Sequence, residues 1–324
     1  MPPLLTIENL HVRFATDEGP LHAVDGVSLD LSRGEVLCVV GESGCGKSAL
    51  AMSIPGLLPT PPASRTADRI ELDGIDLLHL PPRELCAIRG RRIGVVFQEP
   101  MTALSPLHRI GDQVEEAIRL HRQMAARDLR LLALDWLGRV GLADPARAYS
   151  AWPHELSGGM QQRVMIAMAL VNDPDLVIAD EPTTALDVTT QAQVLALMRR
   201  LIRKESGLLL ITHDMGVVSE MATRVAVMYA GQIVETAPCD ELFRAPRHPY
   251  TRALLAALPS SATRGRRLPV IPGSVPSPLD WPAGCRFRDR CAFAGPGCDE
   301  PPPVLSAGEG HRYRCGAAIA IDRR

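Results

Sequence analysis

The sequence is short of aromatic side chains: Phe, Tyr and Trp together make up 4% of its 324 residues. Stacking platforms for nucleic-acid bases need such rings, so a single-strand binding role is disfavoured. Charge of one sign is also missing. Lys and Arg number 35 against 37 Asp and Glu, a formal net charge of −2, so no global basic field draws the chain to a polyanion. No apolar run approaches the ~20 residues that cross a bilayer. The N-terminus, MPPLLTIENLHVRF, has neither the basic start nor the apolar stretch of a secretory signal. The expectation is a cytosolic chain that meets a membrane only through a partner.

What is present is material for a sizeable core. Apolar residues make up 46% and charged residues 22%, ordinary for a soluble globular protein, and the length suits about two domains. Five short apolar runs read as buried strands: Val36 to Val40, Ile93 to Phe97, Leu176 to Ala179, Leu208 to Ile211 and Val225 to Met228. Separated by helical stretches, they predict an α/β fold with a mostly parallel core sheet. Ile7 to Leu31 alternates more, with a turn at Asp17 to Pro20, and predicts a smaller antiparallel sheet. Helical spacing dominates from Gly111 to Val140, and a second long helix is expected from about Thr190 to Glu205.

Beyond Leu258 the texture changes. Ten prolines lie between Pro259 and Pro303, and basic residues outnumber acidic ones by ten to six from Pro259 onward. The division expected is 1–255 for the main domain, with a helical subdomain at about 100–165, and 256–324 for a loop-rich extension. An extension so poor in apolar residues needs a staple.

Three motifs carry chemistry. Gly41, Glu42, Ser43, Gly44, Cys45, Gly46, Lys47 and Ser48 form G-x-x-x-x-G-K-S between a predicted strand and a predicted helix. In that context the loop's N–H groups cradle phosphates, Lys47 reaches the β- and γ-phosphates and Ser48 offers its hydroxyl to Mg²⁺. Leu176 to Glu181 is an apolar strand ending in two carboxylates. Asp180 suits Mg²⁺, and Glu181 suits the orientation or deprotonation of an attacking water. Leu156-Ser157-Gly158-Gly159-Met160-Gln161-Gln162-Arg163 opens a helix, with Ser157 as its cap.

LSGGMQQR, lying between the phosphate loop and the Asp–Glu pair, resembles the signature of ATP-binding cassette (ABC) proteins. By that resemblance Ser157 and Gly159 close over the ATP of a second cassette. Gln98 resembles the glutamine that senses Mg²⁺ and meets the membrane partner, and His213 the switch histidine on the γ-phosphate. Ala185-Leu186-Asp187 resembles the D-loop, and Phe14 the aromatic that stacks on adenine.

Gln98 to Leu104, Ala179 to Val188 and Arg247-His248-Pro249-Tyr250-Thr251 resemble the dipeptide, oligopeptide and nickel importer branch, most closely the D-type ATP-binding subunit of dipeptide importers. The resemblance implies an ATPase at the cytoplasmic face of the bacterial inner membrane, powering uptake of di- or oligopeptides, with nickel or another small solute as the alternative cargo. It implies a paralogous ATP-binding subunit, two permeases, a peptide-binding protein and no nucleic acid. A soluble cassette acting on DNA or ribosomes is the competing class. It is disfavoured by the charge balance and by the absence of a second cassette or coiled-coil insert.

Cys285, Cys291, Cys298 and Cys315 cluster in the extension with C-x5-C-x6-C-x16-C spacing, which selects no metal by itself. Four thiolates beside Arg286, Arg288, Arg290 and Arg314 are expected to form a tetrathiolate staple. The resemblance implies a [4Fe-4S] cluster, with Zn²⁺ as runner-up. Two disulfides or four plain thiols fit the same spacing.

Overall fold

A computed structural model describes residues 2–184, 186–258 and 269–316. Ala185, in the D-loop stretch, lies outside the described residues. The chain forms two compact units, each assembled from separate segments.

The first unit holds Met1–Leu5, Leu31–Glu35 and Asp73–Ile211. Its elements are β6 (Ile75–Asp76), α2 (Pro82–Ile88), β7 (Ile93–Val96), α3 (Pro100–Ala103), α4 (Ile110–Arg119), α5 (Ala126–Arg139), α6 (Pro145–Ser150), α7 (Gly158–Leu170), β8 (Leu176–Asp180), α8 (Val188–Leu201) and β9 (Gly207–Thr212). Strands β7, β8 and β9 run parallel, with Gly94 opposite Val177 and Ile178 opposite Leu209. Every residue of β8 and β9 is buried, which is why their sequences read as unbroken apolar runs. Gly94 is required by packing: a Cβ there would stand 2.3 Å from the Ala169 carbonyl oxygen of α7. Helix α8 begins and ends earlier than its periodicity predicts. The Asp187 carboxylate accepts from the N–H groups of Thr189 and Thr190 and fixes the start, and Ile202 turns extended.

The second unit holds Thr6–Asp30, Val36–Leu72 and the described residues from Thr212 on. Here β1 (Leu5–Thr16), β2 (Gly19–Leu31), β4 (Ala63–Thr66) and β5 (Arg69–Leu72) form the smaller sheet, with β4 antiparallel to β1. The second set of strands starts with β3 (Val36–Val40), parallel to β10 (Arg224–Tyr229). Strand β10 pairs antiparallel with β11 (Gln232–Pro238), β11 with β13 (His311–Arg314), and β13 with β12 (Val304–Gly308). The helices are α1 (Lys47–Ser53), α9 (Met215–Met221), α10 (Cys239–Arg244) and α11 (Pro249–Ala256).

The β12–β13 hairpin was not expected in a loop-rich extension. Its strand β12 is almost wholly exposed, so it leaves no alternation to read. It is held instead by the edge of β11. Residues on both sides of position 255 lie in this second unit, together with the glycine-rich loop.

Candidate nucleotide-binding site

Strand β3 ends at Val40, and the loop from Gly41 to Gly46 carries the chain into α1. Gly46 has φ 104°, and a Cβ on it would lie 2.1 Å from the Ala23 carbonyl oxygen. A Cβ on Gly41 would lie 2.2 Å from the Met228 carbonyl oxygen. Both positions therefore demand glycine. Gly44, at φ 79°, faces open space, which is the concavity an anion needs. Lys47 is 5% exposed, and its Nζ donates to the carbonyl oxygens of Gly41 at 2.9 Å and Glu42 at 3.0 Å. The ammonium is thereby held across the loop. Cys45 is buried beside it, and burial pushes its thiol up against the opposing pull of Lys47. Ser43 and Ser48 are exposed.

Glu42 is gripped from two directions, which sequence reasoning missed. Its backbone N–H donates to the Tyr250 hydroxyl at 2.9 Å. Its carboxylate receives both arms of the Arg290 guanidinium, at 2.7 and 3.0 Å. The signal was present in the Arg247-to-Thr251 motif, but nothing local in the sequence said where Tyr250 points. In the same unit Phe14 sits half-buried on β1, opposite Ala63. His213 is exposed, one residue after β9 and one before Asp214, which caps α9.

In the first unit Asp180 ends β8 and is 4% exposed. Glu181 follows with φ 45°, a left-handed conformation that a non-glycine residue holds only when its surroundings fix it. They do so here. Its N–H donates to the Ile211 carbonyl oxygen at 3.0 Å, and its carboxylate accepts from Thr184 Oγ1 at 2.8 Å and from Gln98 Nε2 at 3.3 Å. Gln98, exposed just past β7, is thus brought to Glu181. Ser157 caps α7, its Oγ accepting from the Met160 N–H at 3.4 Å. A Cβ on Gly158 would meet nothing within 4 Å, and one on Gly159 only Thr190 at 3.4 Å. Buried Gln162 donates to the Pro182 carbonyl oxygen at 2.7 Å, tying α7 to the turn after Glu181.

The donor chemistry suits Mg²⁺, which takes hard oxygen ligands. In the second unit Ser48 offers a hydroxyl; in the first, Gln98 offers an amide oxygen and Asp180 a carboxylate.

The expected thiolate staple finds no support among the described residues. Main-chain segments around Cys285, Cys298 and Cys315 do run together: the Cys285 N–H donates to the Cys298 carbonyl oxygen at 2.9 Å, and a Cβ on Gly316 would lie 3.0 Å from the Gly297 carbonyl oxygen. Yet among the described residues no group of three or more His, Cys, Asp or Glu side chains is placed to hold a metal ion, and no disulfide joins the cysteines. A [4Fe-4S] or Zn²⁺ site on Cys285, Cys291, Cys298 and Cys315 is therefore not supported. Burial pushes the Cys285 and Cys291 thiols up, away from the thiolate form. Three of the neighbouring arginines serve carboxylates instead: Arg286 that of Asp25, Arg288 that of Asp299 and Arg290 that of Glu42. The staple is aromatic and ionic. Phe287, 3% exposed, packs on Tyr229 and Tyr250 with ring centroids 5.3 and 5.4 Å away.

Comparison with known proteins points one way. Residues 24–184 match the ABC transporter family, and residues 234–298 match the oligopeptide/dipeptide transporter C-terminal region. A Brucella abortus (strain 2308) protein, provisionally named a peptide import ATP-binding protein, is 48% identical over 97% of this chain and 94% of its own length. The dipeptide transport ATP-binding protein DppD of Bacillus subtilis (strain 168) is 47% identical over 97% of this chain and 95% of its own. Among solved structures, the dimeric post-hydrolysis state of the ATP-binding cassette MJ0796 bound to ADP and Pi superposes with a TM-score of 0.65. It is 31% identical and covers 72% of this chain and 98% of that one.

Proposed function

The chain belongs to the ABC transporter family of ATP-binding proteins, and from that premise we propose that it is the ATP-hydrolysing subunit of a bacterial importer of di- and oligopeptides. The observation that carries the peptide cargo is the match of residues 234–298 to the oligopeptide/dipeptide transporter C-terminal region. Relatives named for peptide import, similar along nearly the whole chain, support it.

The roles follow residue by residue. Lys47 and the N–H groups of the Gly41-to-Ser48 loop hold the β- and γ-phosphates of ATP. Phe14 stacks on the adenine. Ser48, Gln98 and Asp180 serve as ligands of Mg²⁺, which when bound neutralises charge on the phosphates. Glu181 accepts the proton of the attacking water, and the hydrogen bonds from Gln98 and Thr184 aim its carboxylate. His213 donates to the γ-phosphate. Ser157 and Gly159 serve the ATP of a partner cassette, a paralogous subunit in a heterodimer. The open faces of Gly158 and Gly159 support such an approach.

Among the described residues no helix is long and apolar enough to cross a membrane. The subunit works beneath two permeases at the cytoplasmic face of the inner membrane, fed by a peptide-binding protein. Exposed Phe97, Met101 and Leu107, flanking Gln98 and α3, support docking to a permease there. The test is reconstitution. ATPase activity of the chain alone is low and rises when the paralogous subunit, the permeases and a peptide-loaded binding protein are added. Full activity from a strictly monomeric preparation, or stimulation by nickel and not by peptides, overturns this assignment.

A further inference from the structure

The Arg247-to-Thr251 motif and Arg290 have no role in the chemistry above, yet Tyr250 and Arg290 converge on the phosphate loop. We propose that Tyr250 and Arg290 are positioning residues for ATP, fixing the conformation and the charge of that loop through Glu42. The extension thereby becomes part of the nucleotide-binding machinery. This rests on the assignment of Gly41 to Ser48 as the phosphate loop.

The contacts are specific. Tyr250 lies 208 residues and Arg290 248 residues beyond Glu42, yet one takes its main-chain N–H and the other its whole carboxylate. Arg290 is held on its remaining sides: Nε donates to the Pro272 carbonyl oxygen at 2.7 Å, and a terminal nitrogen to the Tyr229 hydroxyl at 3.2 Å. Its side chain is 6% exposed. Tyr250 is fully buried and equally constrained. The His248 ring nitrogen Nδ1 accepts the Tyr250 N–H at 3.1 Å. The N–H groups of Arg247 and His248 donate to the buried Glu235 carboxylate at 2.7 and 2.8 Å.

The electrostatics give the arrangement a purpose. Glu42 is an anion one residue into a loop that must receive a polyphosphate. Left unpaired, its charge opposes the substrate, and in a partly buried setting salt screens it poorly. A bidentate guanidinium cancels that charge and locks its direction, which a lysine ammonium cannot do. Fixing the Glu42 N–H on Tyr250 removes one freedom from the loop, so less ordering is left for ATP binding to impose.

The experiment uses the full chain assembled with its partner subunits, measuring KM for ATP, kcat and thermal stability. Arg290→Ala is expected to raise KM about 10-fold, with kcat within about 2-fold, as expected when binding and not chemistry is lost. Arg290→Lys keeps the charge without the fork and falls between. Tyr250→Phe raises KM about 3-fold, the scale of one lost neutral hydrogen bond. Adding Glu42→Gln to Arg290→Ala restores much of the lost affinity, because the unpaired charge is gone. A KM unchanged in Arg290→Ala, or a double variant no better than Arg290→Ala, overturns the proposal. If Arg290→Ala fails to fold, Arg290→Lys decides, and a wild-type KM for it counts against the proposal. Lys47→Ala separates the two levels. If it matches wild type, the phosphate-loop assignment itself fails; if it loses ATP while Arg290→Ala does not, only the positioning role falls.

Discussion

The Gln98 side-chain amide donates to the Glu181 carboxylate at 3.3 Å, linking the residues that follow two neighbouring parallel strands. Glu181 also takes the Thr184 hydroxyl and sits in a left-handed conformation. A carboxylate aimed this firmly suits a general base, whose value depends on its direction.

Glu181→Gln keeps the shape and the Thr184 contact and removes the proposed base. ATP is expected to bind and turnover to fall by more than ~10²-fold, the usual scale of a general base. Measurement of ATP binding beside phosphate release checks this. Wild-type turnover in the variant contradicts the assignment.

Lys47→Ala removes the ammonium that spans the loop, and with it the charge proposed to meet phosphate. Nucleotide affinity is expected to drop at least 10-fold, the loss of one charge-assisted contact of about 1.4 kcal/mol or more. Equilibrium binding of a fluorescent ATP analogue reads it directly, and unaltered affinity would sink the role given to Lys47.

Two glycines of the loop separate strain from collision. Gly44→Ala places a side chain at positive φ in open space and is expected to cost about 1–2 kcal/mol. Gly46→Ala adds a backbone clash with the Ala23 carbonyl oxygen, which cannot swing away. It is expected to cost clearly more and to abolish ATP binding. Denaturant midpoints of the two variants settle the order; equal midpoints would refute the close approach.

His248 is buried, and burial pushes its pKa down from 6.5 to about 3. The folded chain keeps the ring neutral, while the unfolded chain takes up a proton below pH 6.5. This contribution is thus fully present above about pH 6.5 and is lost as pH falls toward 3, at about 1.4 kcal/mol per pH unit. His248→Asn retains an acceptor for the Tyr250 N–H and does not titrate. Between pH 6.5 and 5.0 its stability is expected to fall by about 2 kcal/mol less than that of the wild type. Identical losses in urea unfolding at the two pH values would count against a neutral buried ring.

The parts of this molecule legible in its sequence are those whose causes are local. The phosphate loop, the Asp180–Glu181 strand end and the Ser157 cap each rest on a few adjacent residues, and β8 and β9 read as strands because they are buried throughout. The grip on Glu42 was illegible for the opposite reason, since its two holders are more than 200 residues away and their side chains could point anywhere. In the extension sequence adjacency did not disclose the partners. Arg286, Arg288 and Arg290 stand beside cysteines in the chain, yet in space each meets a carboxylate. Hairpin β12–β13 left no trace because solvent covers most of it.

Glu235 gathers donors that are made at very different times. Its buried carboxylate takes the N–H groups 12 and 13 residues downstream and the His311 ring nitrogen Nε2, 2.8 Å away and 76 residues downstream. On the ribosome the first two donors emerge almost at once. At about 5–20 residues per second the third follows roughly 4–15 s after Glu235 is made. Until then a carboxylate destined for the interior is one donor short, which costs free energy if it is buried early. The Glu235 carboxylate therefore has its full set of donors only once a residue 76 positions downstream has been made.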